Sequence, residues 1–138
     1  MCKLKKPLKL EKISKEMVFS HQGVIIKLNL LKNNKYDVKY KICSDYNFFL
    51  KMYNEGKRFK EIDLIFANYD LNGYSNLNSL ETLKEMEKIS LNSSNSKIDI
   101  IIHFKYLIFR EIIKIKIKAI FGKNIFDKIR AINFKLKK

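Results

Sequence analysis

The run ICSDYNFFLKMYNEGKRFKEIDLIFANYDLNGYSN, residues 42–76, decides the reading of this chain. Its first third predicts a helix over 44–56. Ser44 is a residue type that caps a helix start, and Asp45 then sits in the first turn, where the helix dipole favours negative charge. Phe48, Phe49, Met52 and Tyr53 fall on one face at helical spacing. Gly56 supplies the stop. Residues 58–69 read as extended chain, with one strand entering and a more apolar one at Leu64 to Ala67. Asp70 to Asn78, DLNGYSNLN, is a turn-rich loop.

Working upstream, residues 18–28 contain a β-branched run at Val24, Ile25 and Ile26 and predict a short buried strand. Residues 29–41 are polar and fit a short helix and a loop. Residues 1–17 are Lys-rich, with Pro7 near the start, and read as an extended lead-in. Downstream, residues 79–90 predict an amphipathic helix with Leu80, Leu83 and Met86 on one side. LNSSNS, 91–96, is a polar hinge. Ile98 to Phe121 has the length of a long helix, but Ile113-Lys-Ile-Lys-Ile-Lys has strand periodicity, so both readings stand. Phe121-Gly122 is a candidate end for that element.

The chain has 138 residues, the size of one domain, and 46% of them are hydrophobic, enough for a core. Its net charge is +15, carried by 29 Lys and Arg against 14 Asp and Glu. Only Arg58, Arg110 and Arg130 are arginines; the rest is lysine. Sequence-specific nucleic-acid readers lean on arginine for base edges, so no specific nucleic acid is expected as a partner. The charge is uneven. Residues 98–138 hold 11 basic and 3 acidic groups, whereas the middle of the chain is nearly balanced. Cys2 and Cys43 have no metal-ligand spacing and are too few for a secreted disulfide scaffold, which points to a cytoplasmic protein. The basic N-terminus lacks the unbroken apolar stretch of a signal peptide. The longest strongly apolar uncharged run, Ile100 to Phe104, is far short of a membrane span.

Few residues offer chemistry. His21 and His103 are the only histidines, and no zinc, EF-hand or phosphate-cradling glycine pattern occurs. Asp45, at a helix start among aromatic residues, has the position of a general base toward a hydroxyl, though an ordinary first-turn acid explains it as well. His21 and Gln22, just before the Val24 run, could bind a sugar or another polar ligand, or could be structural.

Four pieces in order carry a family resemblance. Ser44-Asp45-Tyr46-Asn47-Phe48-Phe49-Leu50-Lys51-Met52 resembles the A-D-Y-D-h-h-L-[KR]-h segment, with h apolar, of family 2 glycosyltransferases. Phe59-Lys60-Glu61-Ile62-Asp63 resembles the F-K-Y-I-D that follows it. Ala67-Asn68-Tyr69 and Leu71-Asn72-Gly73-Tyr74-Ser75 resemble the A-N-F and L-G-G-h-S beyond. Phe19-Ser20-His21-Gln22 resembles the upstream F-C-H-Q. The match spans residues 17–90 and is nearest to the bacterial enzymes of capsule, O-antigen and exopolysaccharide assembly.

The resemblance implies an α/β fold, the C-terminal portion of a GT-A (Rossmann-like) domain with an incomplete sheet, flanking helices and a basic C-terminal helix. It implies an inverting hexosyltransferase-like activity, moving a sugar from a nucleotide-sugar donor to the hydroxyl of a glycan or lipid-linked acceptor. Asp45 maps to the general base. His21, Gln22, Tyr46 and Asn47 map to the acceptor side, with Asn47 standing where the family has a second acid. The family's Mg²⁺ or Mn²⁺ is held by an Asp-x-Asp motif that this chain does not contain, so the chain itself is expected to hold no cofactor. The resulting division is a basic lead-in at 1–17, the acceptor-side part of a glycosyltransferase domain at 18–90, and a hinge and basic amphipathic extension at 91–138. The chain then reads as a truncated enzyme lacking the nucleotide-binding half, inactive alone and prone to self-association. The basic extension either touches an anionic membrane surface at the inner face of the plasma membrane or packs on the domain. The alternative reading is a non-catalytic basic module binding anionic membrane surfaces or nucleic acid.

Overall fold

The computed structural model describes residues 7–62, 74–94 and 96–135. Five α-helices run in the order α1 (Leu28–Asn33), α2 (Ser44–Asn54), α3 (Tyr74–Leu77), α4 (Ser79–Ser93) and α5 (Lys97–Lys135), preceded by 3₁₀ turns at Leu10–Ser14 and His21–Gly23. The α/β expectation is overturned: the described residues are helical and contain no strand and no sheet. The strand expected at Leu64 to Ala67, the loop residues Asp70 to Gly73 and the motif pieces Asp63, Ala67-Asn68-Tyr69 and Leu71-Asn72-Gly73 lie outside the described residues.

The reason for the misreading is visible at residues 18–28. Val24 has extended dihedrals, with φ −122° and ψ 132°. Val24 and Ile26 lean on the core while Ile25 between them is 72% exposed. β-branching and alternation therefore report the backbone correctly. Among the described residues no neighbouring strand accepts the ladder, and the segment is an extended strip before α1.

α2 forms where its local signals put it. Phe48, Phe49 and Met52 are buried on one face. The helix ends in a Schellman motif: the Gly56 N–H donates to the Tyr53 carbonyl at 2.9 Å and the Lys57 N–H to the Met52 carbonyl at 3.0 Å. Gly56 sits at φ +70°, where a side chain would strain the backbone. The start differs from expectation. Cys43, not Ser44, is the N-cap residue, and no side chain of its own caps the helix.

The cap comes instead from α4. Glu85 accepts the backbone N–H groups of three successive residues entering α2: Lys41 at 3.0 Å, Ile42 at 2.9 Å and Cys43 at 2.9 Å. Partial burial alone would raise this carboxyl, but the three backbone donors outweigh it and hold the group below its ordinary value of 4.5. α4 continues past the expected boundary to Ser93, so only residues 94–96 separate it from α5. α5 resolves the open choice at 98–121 in favour of helix, and Gly122 does not end it. Ser79 at the start of α4 donates to Glu111 of α5 at 2.7 Å, which fixes the two as antiparallel neighbours.

The core lies between α2, α4 and the first turns of α5. It also draws on the lead-in, because Ile13 is fully buried. Tyr46 on α2 sends its hydroxyl to the Ile13 carbonyl at 2.7 Å and lies 2.9 Å from Ser90 Oγ, which donates to the Met86 carbonyl at 2.8 Å. The lead-in expected to be extended is thus folded back, with the Leu8 N–H on the Val18 carbonyl at 2.8 Å. Ile100 and Phe104 of α5 are buried in the same cluster as Phe48 and Met52. Phe104→Ala there would cost about 3–5 kcal/mol.

Glu85 gives the first prediction. Glu85→Ala should destabilise the chain by about 2–3 kcal/mol and Glu85→Gln by about 1 kcal/mol in urea unfolding at neutral pH. Because the folded carboxyl titrates below its unfolded value, its contribution is complete above pH 4.5 and is lost as pH falls through the folded value. The Glu85→Gln protein should therefore lose less stability than the wild type on acidification below that point. Parallel losses in the two proteins would show that the carboxylate does not hold the α2 entry.

Candidate functional site

The entry to α2 borders a cleft of about 290 Å³ lined by His21, Tyr36, Ile42, Ser44 and Asp45. Three separate pieces of chain build it. His21 comes from the 3₁₀ turn before the Val24 strip. Tyr36 comes from the loop after α1, where its ring packs on Phe48 with centroids 5.1 Å apart. Ile42, Ser44 and Asp45 come from the segment that Glu85 clasps.

The central contact joins His21 Nδ1 to Asp45 Oδ2 at 3.0 Å. The other carboxylate oxygen, Oδ1, accepts the Tyr46 N–H at 2.7 Å. Asp45 is three-quarters buried at its side chain and His21 about half, so the pair sits at the mouth of the cleft rather than in the core. With Nδ1 directed at the carboxylate, the ring's Nε2 is the nitrogen left to face a ligand. Burial, and after it the charge of Asp45, holds the Tyr36 phenol above its ordinary value of 10.0. Tyr36 therefore offers a neutral hydroxyl, able to donate and accept, beside a carboxylate and an imidazole. One carboxylate, one imidazole, one phenol and one seryl hydroxyl around a half-open cleft suit a polyhydroxylated ligand and a proton transfer at its rim.

Of the expected site residues, the structure brings His21 and Asp45 together across 24 positions of sequence. Gln22 is exposed and outside the cleft lining. Asn47 is half-buried in the first turn of α2, its N–H spent on the Cys43 carbonyl at 3.0 Å. Tyr46 is 2% exposed, and its hydroxyl serves Ile13 and Ser90 in the core. The sequence reading missed Tyr36 and Glu85. Tyr36 left one signal, an aromatic residue isolated among Asn33, Asn34, Lys35 and Asp37. Glu85 left none, since its partners are backbone groups more than 40 residues away.

The donor set does not fit the divalent ion that the resemblance implies. Mg²⁺ and Mn²⁺ take about six hard oxygen ligands, whereas this cleft has a single carboxylate already bonded to an imidazole. Among the described residues no cluster of three or more His, Cys, Asp or Glu side chains could hold a metal ion. No protein-family model, no curated protein and no solved structure matches this chain.

Cys43 reports on the integrity of the clasp. Its thiol is buried, 3.6 Å from the Thr82 carbonyl, and is pushed up to about 12 by burial first and then by Glu85 and Asp45. Thiolate is the reactive form, so Cys43 should resist iodoacetamide at neutral pH in the folded chain and react at least about 100-fold faster in urea. Peptide mass mapping distinguishes it from Cys2. Fast native-state labelling of Cys43 would mean that the α2 entry opens readily.

Proposed function

We propose that this chain carries the acceptor side and the general base of an inverting sugar transfer, of the kind catalysed by family 2 glycosyltransferases of bacterial surface-polysaccharide assembly. The observation that carries the reading is the 3.0 Å contact between His21 and Asp45 in one cleft. The two residues belong to separate pieces of the resemblance, F-S-H-Q and S-D-Y-N, which imply an acceptor-side role for His21 and a general base at Asp45.

In the proposed step, an acceptor hydroxyl lies against Asp45 with its sugar between Tyr36 and His21. The Asp45 carboxylate takes the hydroxyl proton as that oxygen bonds to the anomeric carbon of a nucleotide-sugar donor. The bond from that carbon to the nucleoside diphosphate breaks, and its electron pair leaves with the diphosphate. His21 orients the carboxylate and shares the proton's charge. Ile42 and the Phe48-backed ring of Tyr36 limit water at the reacting oxygen. The donor is assigned to residues beyond these 138, because no Asp-x-Asp occurs in the sequence. A nucleotide-sugar donor places the reaction in the cytoplasm.

The chain alone should not turn over a nucleotide sugar. Joined with a nucleotide-binding half, it should transfer, and Asp45→Asn should lower the rate by about 10²–10⁴-fold with donor binding unchanged. His21→Ala should lower it less, by about tenfold. Full activity of Asp45→Asn in the joined enzyme would remove Asp45 as the base. Turnover by the unaccompanied chain would overturn the division between donor and acceptor parts.

A further inference from the structure

The face of α5 that turns away from α4 carries a second apolar stripe. Ile98, Ile102, Tyr106, Phe109, Ile113 and Ile120 recur at three- and four-residue steps, broken only at Lys116, and are 76%, 65%, 57%, 63%, 39% and 74% exposed. Residues three and four apart share a helix face, so these six form one strip about 33 Å long. The buried residues Ile100 and Phe104 lie on the other side of the helix, against the core. A helix apolar on both faces is ordinarily enclosed on both. Here one face is enclosed by the core and the other lies bare among the described residues.

Cations border the strip. Lys105 and Lys116 lie along one edge; the Lys105 side chain is 68% exposed, and its Nζ pairs with Glu87 of α4 at 3.4 Å. Arg110 lies along the other edge, its guanidinium 5.6 Å from the centre of the Tyr106 ring. Of the acids between Lys97 and Ile120, Asp99 lies on the Arg110 edge and is paired with Lys15, and Glu111 is held by Ser79 and Lys114. The strip therefore meets its surroundings as isoleucine and aromatic rings between positive margins.

We propose that this strip seats α5 in the plane of an anionic lipid surface, independently of any catalytic role of the α2 cleft. The isoleucines and Phe109 would enter the boundary between headgroups and acyl chains, while Lys116 and Arg110 reach up to lipid phosphates on long apolar stems. Charge decides against a second copy as the occupant. Pairing strip to strip would set the same cations against one another in a chain of net charge +15, whereas anionic headgroups satisfy both margins at once. The helix would lie on the bilayer, not cross it, since among the described residues no helix is long and apolar enough to span a membrane.

The test is sedimentation of the full chain with phosphatidylcholine vesicles with and without about 30% phosphatidylglycerol. Partition should be at least about tenfold higher with the anionic lipid, and should fall by about tenfold or more when salt rises from about 0.05 M to 0.5 M. Ile102→Asn with Phe109→Asn should reduce binding by about tenfold while helix content and melting stay unchanged, because both side chains face outward. Lys116→Gln with Arg110→Gln should reduce binding by about fivefold per cation on anionic vesicles only. Equal partition into the two vesicle types, or binding indifferent to the Ile102 and Phe109 changes, overturns the proposal. So does a lipid-free dimer that the Ile102 and Phe109 changes convert to monomer in a chain that does not bind vesicles.

Discussion

The carboxylate of Glu85 on three consecutive backbone N–H groups is the constraint from which the rest of the molecule is organised. Residues 41–43 carry donors that would otherwise need water or a side chain of their own, and no local residue supplies one. By meeting all three, one side chain on α4 sets the angle at which the chain enters α2. That angle directs Tyr46 inward to Ser90 and Asp45 outward to His21, although the two are neighbours in sequence. Packing and site geometry thus share one origin. The apolar contacts between α2 and α4 stabilise the pair but are non-directional; the carboxylate gives them a register.

The same arrangement explains why the cleft has its mixed character. Its floor is apolar, because Tyr36 leans on Phe48 and Ile42 precedes the helix. Its rim is polar, because a helix start presents side chains before the helix buries its face. His21 reaches that rim on the 3₁₀ turn His21–Gly23, which the extended chain from Val24 to Lys27 leads out of toward α1. Had that segment entered a sheet, His21 would be held by the ladder and not by Asp45.

What the sequence disclosed was what its local chemistry determines. The span of α2 was legible from Phe48, Phe49, Met52 and Gly56, since amphipathic spacing and a left-handed terminator act within one helix. The pairing of His21 with Asp45 was not legible, since the two stand 24 positions apart and nothing local joins them. Other features were hidden for physical reasons. β-branching at Val24 to Ile26 specifies extended backbone but cannot specify a partner strand, and so suggested a sheet where the described residues contain none. Tyr46 stood in a motif beside Asp45 and was read as facing a ligand, yet adjacent helical residues point about 100° apart, and its hydroxyl is in the core. The Ile-Lys alternation at 113–118 fits a strand and also fits a helix; α5 is helical there, with Ile113 39% and Ile115 47% exposed on different sides. Glu85 reads as one more charged residue on an amphipathic helix, and only its distant partners give it a role.

The short link between α4 and α5 has a kinetic consequence. With only residues 94–96 intervening, contacts near the link close small loops, and the hairpin can zip onward toward Ser79 and Glu111 at little entropic cost. The contacts that build the cleft are of another order, for Glu85 reaches back 42 residues to Cys43 and Ser90 reaches back 44 to Tyr46. Low contact order in the C-terminal half and high contact order in the N-terminal half divide the chain into an early-forming hairpin and a late-docking α2. In refolding of the whole chain the hairpin can then form ahead of the long-range docking that assembles the cleft.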